Sequence, residues 1–84
     1  MYRARIHVVL RPSILDPQGK AVAHAVSTLG IPGVRGIRMG KYVEVTFDGV
    51  TEQEARTAAD DMCRKLLANP VMEDYSFTIE RLPG

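Results

Sequence analysis

Apolar and polar positions alternate from the start of the chain. Tyr2, Ala4, Ile6, Val8 and Leu10 are interleaved with Arg3, Arg5, His7 and Val9, the period of a strand with one face in a core and a basic outer face near its start. Pro12 ends that ladder, having no N–H to donate. In the stretch LDPQGKA, Asp16 is placed to cap a helix by accepting from the amides of Gln18 or Gly19, with Pro17 at the first helical position. Val22, Ala25, Val26 and Leu29 then recur at helical spacing, and Gly30 follows as a left-handed stop, so a helix is predicted from about Pro17 to Leu29.

Ile37, Met39, Val43, Val45 and Phe47 occupy odd positions, and Arg38, Glu44, Thr46 and Asp48 even ones. A hairpin with a three-residue loop at Gly40-Lys41-Tyr42 pairs Met39 with Val43 and Ile37 with Val45, keeping the apolar set on one face. A single continuous strand has the same parity, so the alternation favours a hairpin without requiring one. Thr51 and Glu54 have the spacing of a capping box, with Val50 and Ala55 placed as its hydrophobic staple. Ala55, Ala58, Ala59, Met62, Leu66 and Leu67 form the apolar stripe of a second helix, and Asp60/Arg64 and Asp61/Lys65 are acid-first pairs on its wet side. Pro70 stops that helix at Asn69, and a last strand from Glu73 to Leu82 turns Tyr75, Phe77 and Ile79 inward.

The predicted order is therefore β-α-β-β-α-β, an α+β two-layer sandwich of ferredoxin-like topology, with the helices on one face of an antiparallel sheet. Neither repeats nor a composition shift divides residues 1–84, so one domain is expected. A core this small leaves stability marginal, and the sheet has two edges and an uncovered face, so association with other chains is expected.

Composition narrows the function classes. Eleven Lys and Arg against ten Asp and Glu give a net charge of +1, without the basic excess of a nucleic-acid binder, and the outer strand faces lack the aromatic platform of an RNA-binding sheet. No apolar run approaches the length of a membrane span, and the N-terminus has alternating Arg in place of a signal peptide's apolar run. A single cysteine, Cys63, forms no internal disulfide and fits a reducing cytoplasm. His7, His24 and Cys63 are not at metal-ligand spacing, and no nucleophile-base set has local context. Asp60-Asp61 and Glu73-Asp74 sit where solvated faces place charge, with no apolar surroundings to separate their pKa values. A phosphate site at LDPQGKA is disfavoured, because the Asp16 carboxylate fills the free amides and repels anions.

Three stretches, LDPQGKA after the first strand, VRGIRMGKYVEV in the middle and MCRKLLANPVMEDY before the last strand, together resemble the PurS family, small subunits of phosphoribosylformylglycinamidine synthase. The resemblance implies a dimeric accessory subunit in de novo purine biosynthesis. Such a subunit bridges a glutaminase, which releases ammonia, and a large synthetase, which uses ATP and Mg to convert formylglycinamide ribonucleotide to formylglycinamidine ribonucleotide. It also implies no cofactor and no catalytic residue on this chain, and three partner-contacting loops: Asp16, Pro17, Gln18 and Gly19; Arg38, Gly40, Lys41 and Tyr42; and Asn69, Pro70 and Glu73. The competing reading is a free-standing regulatory domain of ferredoxin-like shape that binds a small molecule.

Overall fold

The computed structural model describes residues 1–83. The first strand, β1, runs from Tyr2 to Leu10. It is followed by α1 (Pro17–Thr28), β2 (Gly40–Phe47), α2 (Glu52–Met62), a π-helical turn (Cys63–Leu67) and β3 (Glu73–Arg81). The three strands form one antiparallel sheet in the order β2-β1-β3. β1 is central because both its neighbours can pair with it only after a helix has returned the chain. Its inward residues Ala4, Ile6 and Val8 are fully buried. Val43 and Phe77 stand directly opposite Ile6 on the two flanking strands, so one residue of β1 anchors both pairings.

α2 lies across β1 and β3 and closes the core with Ala55, Ala59 and Cys63. Small side chains on this face let the helix approach the sheet closely. Its start is fixed by the capping box: Glu54 N–H donates to Thr51 Oγ1 at 3.1 Å, and Thr51 N–H donates to Glu54 Oε1 at 2.9 Å. The helix does not continue to Asn69 as expected. Its last turn widens, with Ala68 N–H reaching back five residues to the Cys63 carbonyl at 2.9 Å, and the chain is already extended at Ala68. Of the two leucines expected on the apolar stripe, the widened turn leaves Leu66 78% exposed and only Leu67 packed on the core. The expected Asp61/Lys65 pair is likewise replaced: Arg64 bonds both Asp60 and Asp61.

The α+β class and the antiparallel sheet stand, but the sheet has three strands, not four. No hairpin forms at Gly40-Lys41-Tyr42: the chain runs without turn or bend from Val34 to Phe47, and only residues from Gly40 onward join the ladder. Alternation cannot separate these two geometries, because a turn of three residues and a straight strand put the same side chains on the same face. The consequence for shape is large. α1 packs extensively on no strand; it lies beside residues 31–37 of its own chain, around a cleft lined by Ala23, Val26, Ile31 and Val34. The radius of gyration is 16.4 Å and the longest dimension 49 Å, against about 12 Å for the radius of a compact chain of this length. Because α2 lies mainly over β1 and β3, Val43, Val45 and Phe47 on β2 pack against the edge of the core and remain half-exposed.

Candidate functional site

The chain segments that carry the three sequence motifs converge at one end of the sheet. β1 ends there at Leu10, α1 begins there at Pro17, β2 begins there at Gly40 and β3 begins there at Glu73. Asp16 links two of them. Its Oδ1 accepts from Gly19 N–H at 2.9 Å, the expected cap, and its Oδ2 accepts from Met39 N–H at 2.8 Å, a tie to the segment leading into β2. The Gly19 and Met39 amides hold the carboxyl below the ordinary carboxylate range, with nearby Arg38 adding a smaller effect. Both carboxylate oxygens are therefore occupied, and α1's first amides are not available to an anion.

Two glycines at this end are required by close approach. A Cβ on Gly19 would lie 2.5 Å from the Ile37 carbonyl oxygen and 2.7 Å from Asp16 Oδ2, so only glycine lets α1 sit against the following segment. A Cβ on Gly40 would lie 2.5 Å from the Val8 carbonyl oxygen. Gly40, expected in the loop of a hairpin, is instead a strand residue opposite Val9 without a positive φ. The positive φ values belong to Gly30, which ends α1 as expected, and to Gly33 and Gly49.

The third motif folds on itself. Asn69 N–H donates to Glu73 Oε1 at 2.7 Å, Glu73 N–H donates to the Asn69 carbonyl at 2.8 Å, and Val71 N–H donates to Asn69 Oδ1 at 3.0 Å. Asn69, Pro70 and Glu73 are thus one closed turn. Arg11 braces it from the other side, donating to the Pro70 carbonyl at 2.6 Å and pairing with Asp74 at 3.3 Å. Sequence reasoning missed Arg11 in this role, since its partners lie some sixty residues away and no local pattern marks them.

Asp16, Gln18, Gly40, Lys41 and Glu73 together line a cleft of about 250 Å³, completed by Leu10 and Met39. A second hollow of about 400 Å³ opens beside Asp16, where Ile14, Leu15, Lys20 and Ile37 form its wall. Pro17, Gly19, Arg38, Asn69 and Pro70 belong to the segments that flank these hollows. Tyr42 does not join them. It points to the outer face of the sheet, where its ring stands 5.0 Å from that of His7 and its hydroxyl donates to Glu44 at 2.9 Å. Lys20 and Lys41 form no ion pair among the described residues, so the end of the sheet presents free cations beside a carboxylate whose hydrogen bonds are already made.

Elsewhere the polar groups are engaged structurally. Arg3 and Arg5 pair with Glu80 across the outer sheet face, and the Tyr75 hydroxyl donates to Asp60 at 2.6 Å, joining β3 to α2. Cys63 is buried, and burial pushes its thiol up, away from thiolate reactivity. Among the described residues no group of three or more His, Cys, Asp or Glu could hold a metal ion, and no helix is long and apolar enough to cross a membrane.

Comparison with known proteins agrees with this geometry. Residues 3–81 match the family model described as PurS, phosphoribosylformylglycinamidine (FGAM) synthase. A phosphoribosylformylglycinamidine synthase subunit PurS from Synechocystis sp. is 48% identical over 83 residues, covering 99% of this chain and 83% of that one. The structure of Bacillus subtilis PurS is 41% identical, covers 96% of this chain and all of its own, and superposes with a TM-score of 0.85. A chain in the structure of PurLQS from Thermotoga maritima superposes with a TM-score of 0.85 at 26% identity, over 94% of this chain and 96% of that one. With its fold, its three motifs and nearly its whole length accounted for, the chain belongs to the PurS family.

Proposed function

We propose that this chain is the small accessory subunit of a phosphoribosylformylglycinamidine synthase, which makes formylglycinamidine ribonucleotide from formylglycinamide ribonucleotide, glutamine and ATP. It associates with itself and joins a glutaminase to a synthetase in the cytoplasm. The observation that carries this reading is the meeting of three separate motif segments around one cleft with exposed lysines. A relative of the same fold is described as part of PurLQS.

The chemistry of the proposed complex gives a place to a subunit whose role is to seat its partners. Ammonia released into water becomes ammonium, which has no lone pair with which to attack. A subunit that seats the two larger ones against each other keeps the transfer dry, because closing the site expels water and limits proton leakage. ATP and Mg belong to the synthetase in this scheme, and this chain holds no cofactor. Its contact residues are Asp16, Pro17, Gln18, Gly19, Arg38, Gly40, Lys41, Asn69, Pro70 and Glu73 at the motif end, with Tyr42 on the adjoining outer face.

Lys41 tests the reading. Its side chain is exposed at the mouth of the cleft and pairs with no carboxylate of its own chain. Lys41→Glu is expected to leave the melting temperature within about 4 °C, since surface changes of this kind move stability by less than about 0.5 kcal/mol. The same substitution is expected to abolish capture of the synthetase and glutaminase from native lysate by tagged protein. Capture of both at the wild-type level by Lys41→Glu would refute the assignment of this end as the contact surface.

A further inference from the structure

At the motif end of the sheet the acids are committed to their own chain and the bases are not. Asp16, half-buried, spends its two oxygens on the Gly19 and Met39 amides. Glu73 closes its own turn by accepting from Asn69 N–H at 2.7 Å, and Asp74 pairs with Arg11 at 3.3 Å. Three cations surround these groups. Lys20 lines the hollow beside Asp16, Lys41 lines the neighbouring cleft, and Arg38 is near enough to help hold the Asp16 carboxyl down. All three are exposed, and among the described residues none pairs with a carboxylate, whereas Arg3, Arg5, Arg11 and Arg64 all do.

Apolar side chains accompany the free cations. Leu15, next to Asp16, is 63% exposed, and Val71, inside the Asn69–Glu73 turn, is 74% exposed. Arg11 ties the two loops that carry them: its N–H donates to the Met72 carbonyl at 2.9 Å, and its carbonyl accepts from Ile14 N–H at 2.9 Å. One exposed leucine means little by itself. Two apolar groups on loops that are held together, beside three unpaired cations, have the make-up of a protein contact with apolar anchors and a charged rim.

From this asymmetry we infer that the face of the larger subunits that seats on the motif end is acidic. Its carboxylates stand opposite Lys20, Arg38 and Lys41, and an apolar patch among them receives Leu15 and Val71. The inference rests on the accessory-subunit reading above and names the chemistry of the partner that reading requires. Charge complementarity carries it, because a surface with free cations and committed carboxylates draws an acidic face toward it and suppresses a basic one. Arg38 can grip one carboxylate through two parallel hydrogen bonds and so fix orientation. The lysines, point charges on long stems, act chiefly on the rate of encounter. A net charge of +1 conceals all of this, since it counts committed and free groups alike.

The test compares two double variants that remove the same amount of positive charge. Lys20→Gln/Lys41→Gln alters the motif end, and Arg56→Gln/Arg81→Gln alters the start of α2 and the far end of β3. Association of each with the purified synthetase and glutaminase subunits is followed by interferometry at about 0.01 M and about 0.5 M NaCl, because salt shortens the reach of charge from roughly 30 Å to a few Å. The wild-type association rate is expected to fall at least about 10-fold with salt. The motif-end variant is expected to be about 10-fold slower than wild type at low salt and within about 2-fold of it at high salt, with the other variant within about 2-fold throughout. If the motif-end pair changes the melting temperature, Arg38→Gln alone carries the test, with an expected slowing of about 3-fold at low salt. A wild-type rate indifferent to salt, or equal slowing by both double variants, would overturn the acidic face while leaving the accessory-subunit reading in place. Loss of self-association by the motif-end variant in light scattering would assign the lysines to a contact between copies and overturn it too. Wild-type chain that associates with neither subunit at either salt would refute the reading itself.

Discussion

Ile6→Ala strikes the point on which the whole sheet is registered. Ile6 is 0% exposed, sits on the central strand, and faces Val43 on one side and Phe77 on the other. The substitution removes three carbons, about 2.4 kcal/mol of transfer free energy at about 0.8 kcal/mol each. The site also collapses poorly, because it is roofed by the small residues Ala59 and Cys63, which cannot extend into the space. The cavity left behind raises the total to about 3–4 kcal/mol, inside the range of about 2–5 kcal/mol for such truncations. A domain of this length has roughly 4–13 kcal/mol in all, so about a quarter or more of the stability is at stake. Urea unfolding followed by circular dichroism measures it, with wild type and variant at one protein concentration because association adds to apparent stability. The expected result is a lower midpoint at unchanged slope, and a melting temperature reduced by more than about 12 °C. Ile6→Val, which removes one carbon, is expected to cost about 0.5–1.5 kcal/mol. A cost below about 1 kcal/mol for Ile6→Ala would refute the placement of Ile6 at the centre of a packed core.

Other substitutions probe the motif end and the π-helical turn. Gly19→Ala puts a methyl group 2.5 Å from the Ile37 carbonyl and is expected to cost about 1–3 kcal/mol as overpacking and to loosen α1 from the segment before β2, read by faster amide exchange at Met39. Asp16→Asn removes a carboxylate whose folded value is depressed by the Gly19 and Met39 amides. The stability it contributes is present above the ordinary carboxylate value and is lost as pH falls through the lowered one, so variant and wild type are expected to differ at neutral pH and converge in strong acid. A constant gap down to the acid limit would contradict that linkage. Leu66→Ser is expected to shift stability by less than about 0.5 kcal/mol, because the widened turn exposes Leu66, whereas Leu67→Ser is expected to be clearly destabilising.

Local patterns carried most of the fold. The alternation of β1 was readable because one face of that strand meets the core and the other meets water. The starts of both helices were readable because Asp16 and Thr51 act within three residues of themselves. What could not be read depended on distance or on one residue of phase. Asp16 also holds Met39, and Arg11 holds the turn at Pro70, contacts across 23 and 59 positions that no window along the chain contains. The hairpin was expected because a three-residue loop keeps the apolar set on one face, but a straight strand does the same, and Gly40 lies where β2 closely approaches the Val8 carbonyl. Leu66 and Leu67 were both expected on the apolar stripe by helical spacing, and the widened last turn keeps Leu67 on the core while turning Leu66 out to solvent. The three motifs were recognisable in order, but their meeting at one cleft, with Tyr42 left on the outer face, is a property of the sheet alone.

The central claim is that this chain is required for coupling, without doing the chemistry itself. Its direct test is reconstitution: fixed amounts of the synthetase and glutaminase subunits, formylglycinamide ribonucleotide, ATP, Mg and glutamine, titrated with this chain while formylglycinamidine ribonucleotide is measured. The account predicts little glutamine-dependent product without the chain, a rise that saturates at a fixed stoichiometry, and a strongly weakened response with Lys41→Glu. Full glutamine-dependent synthesis in the absence of the chain would contradict it.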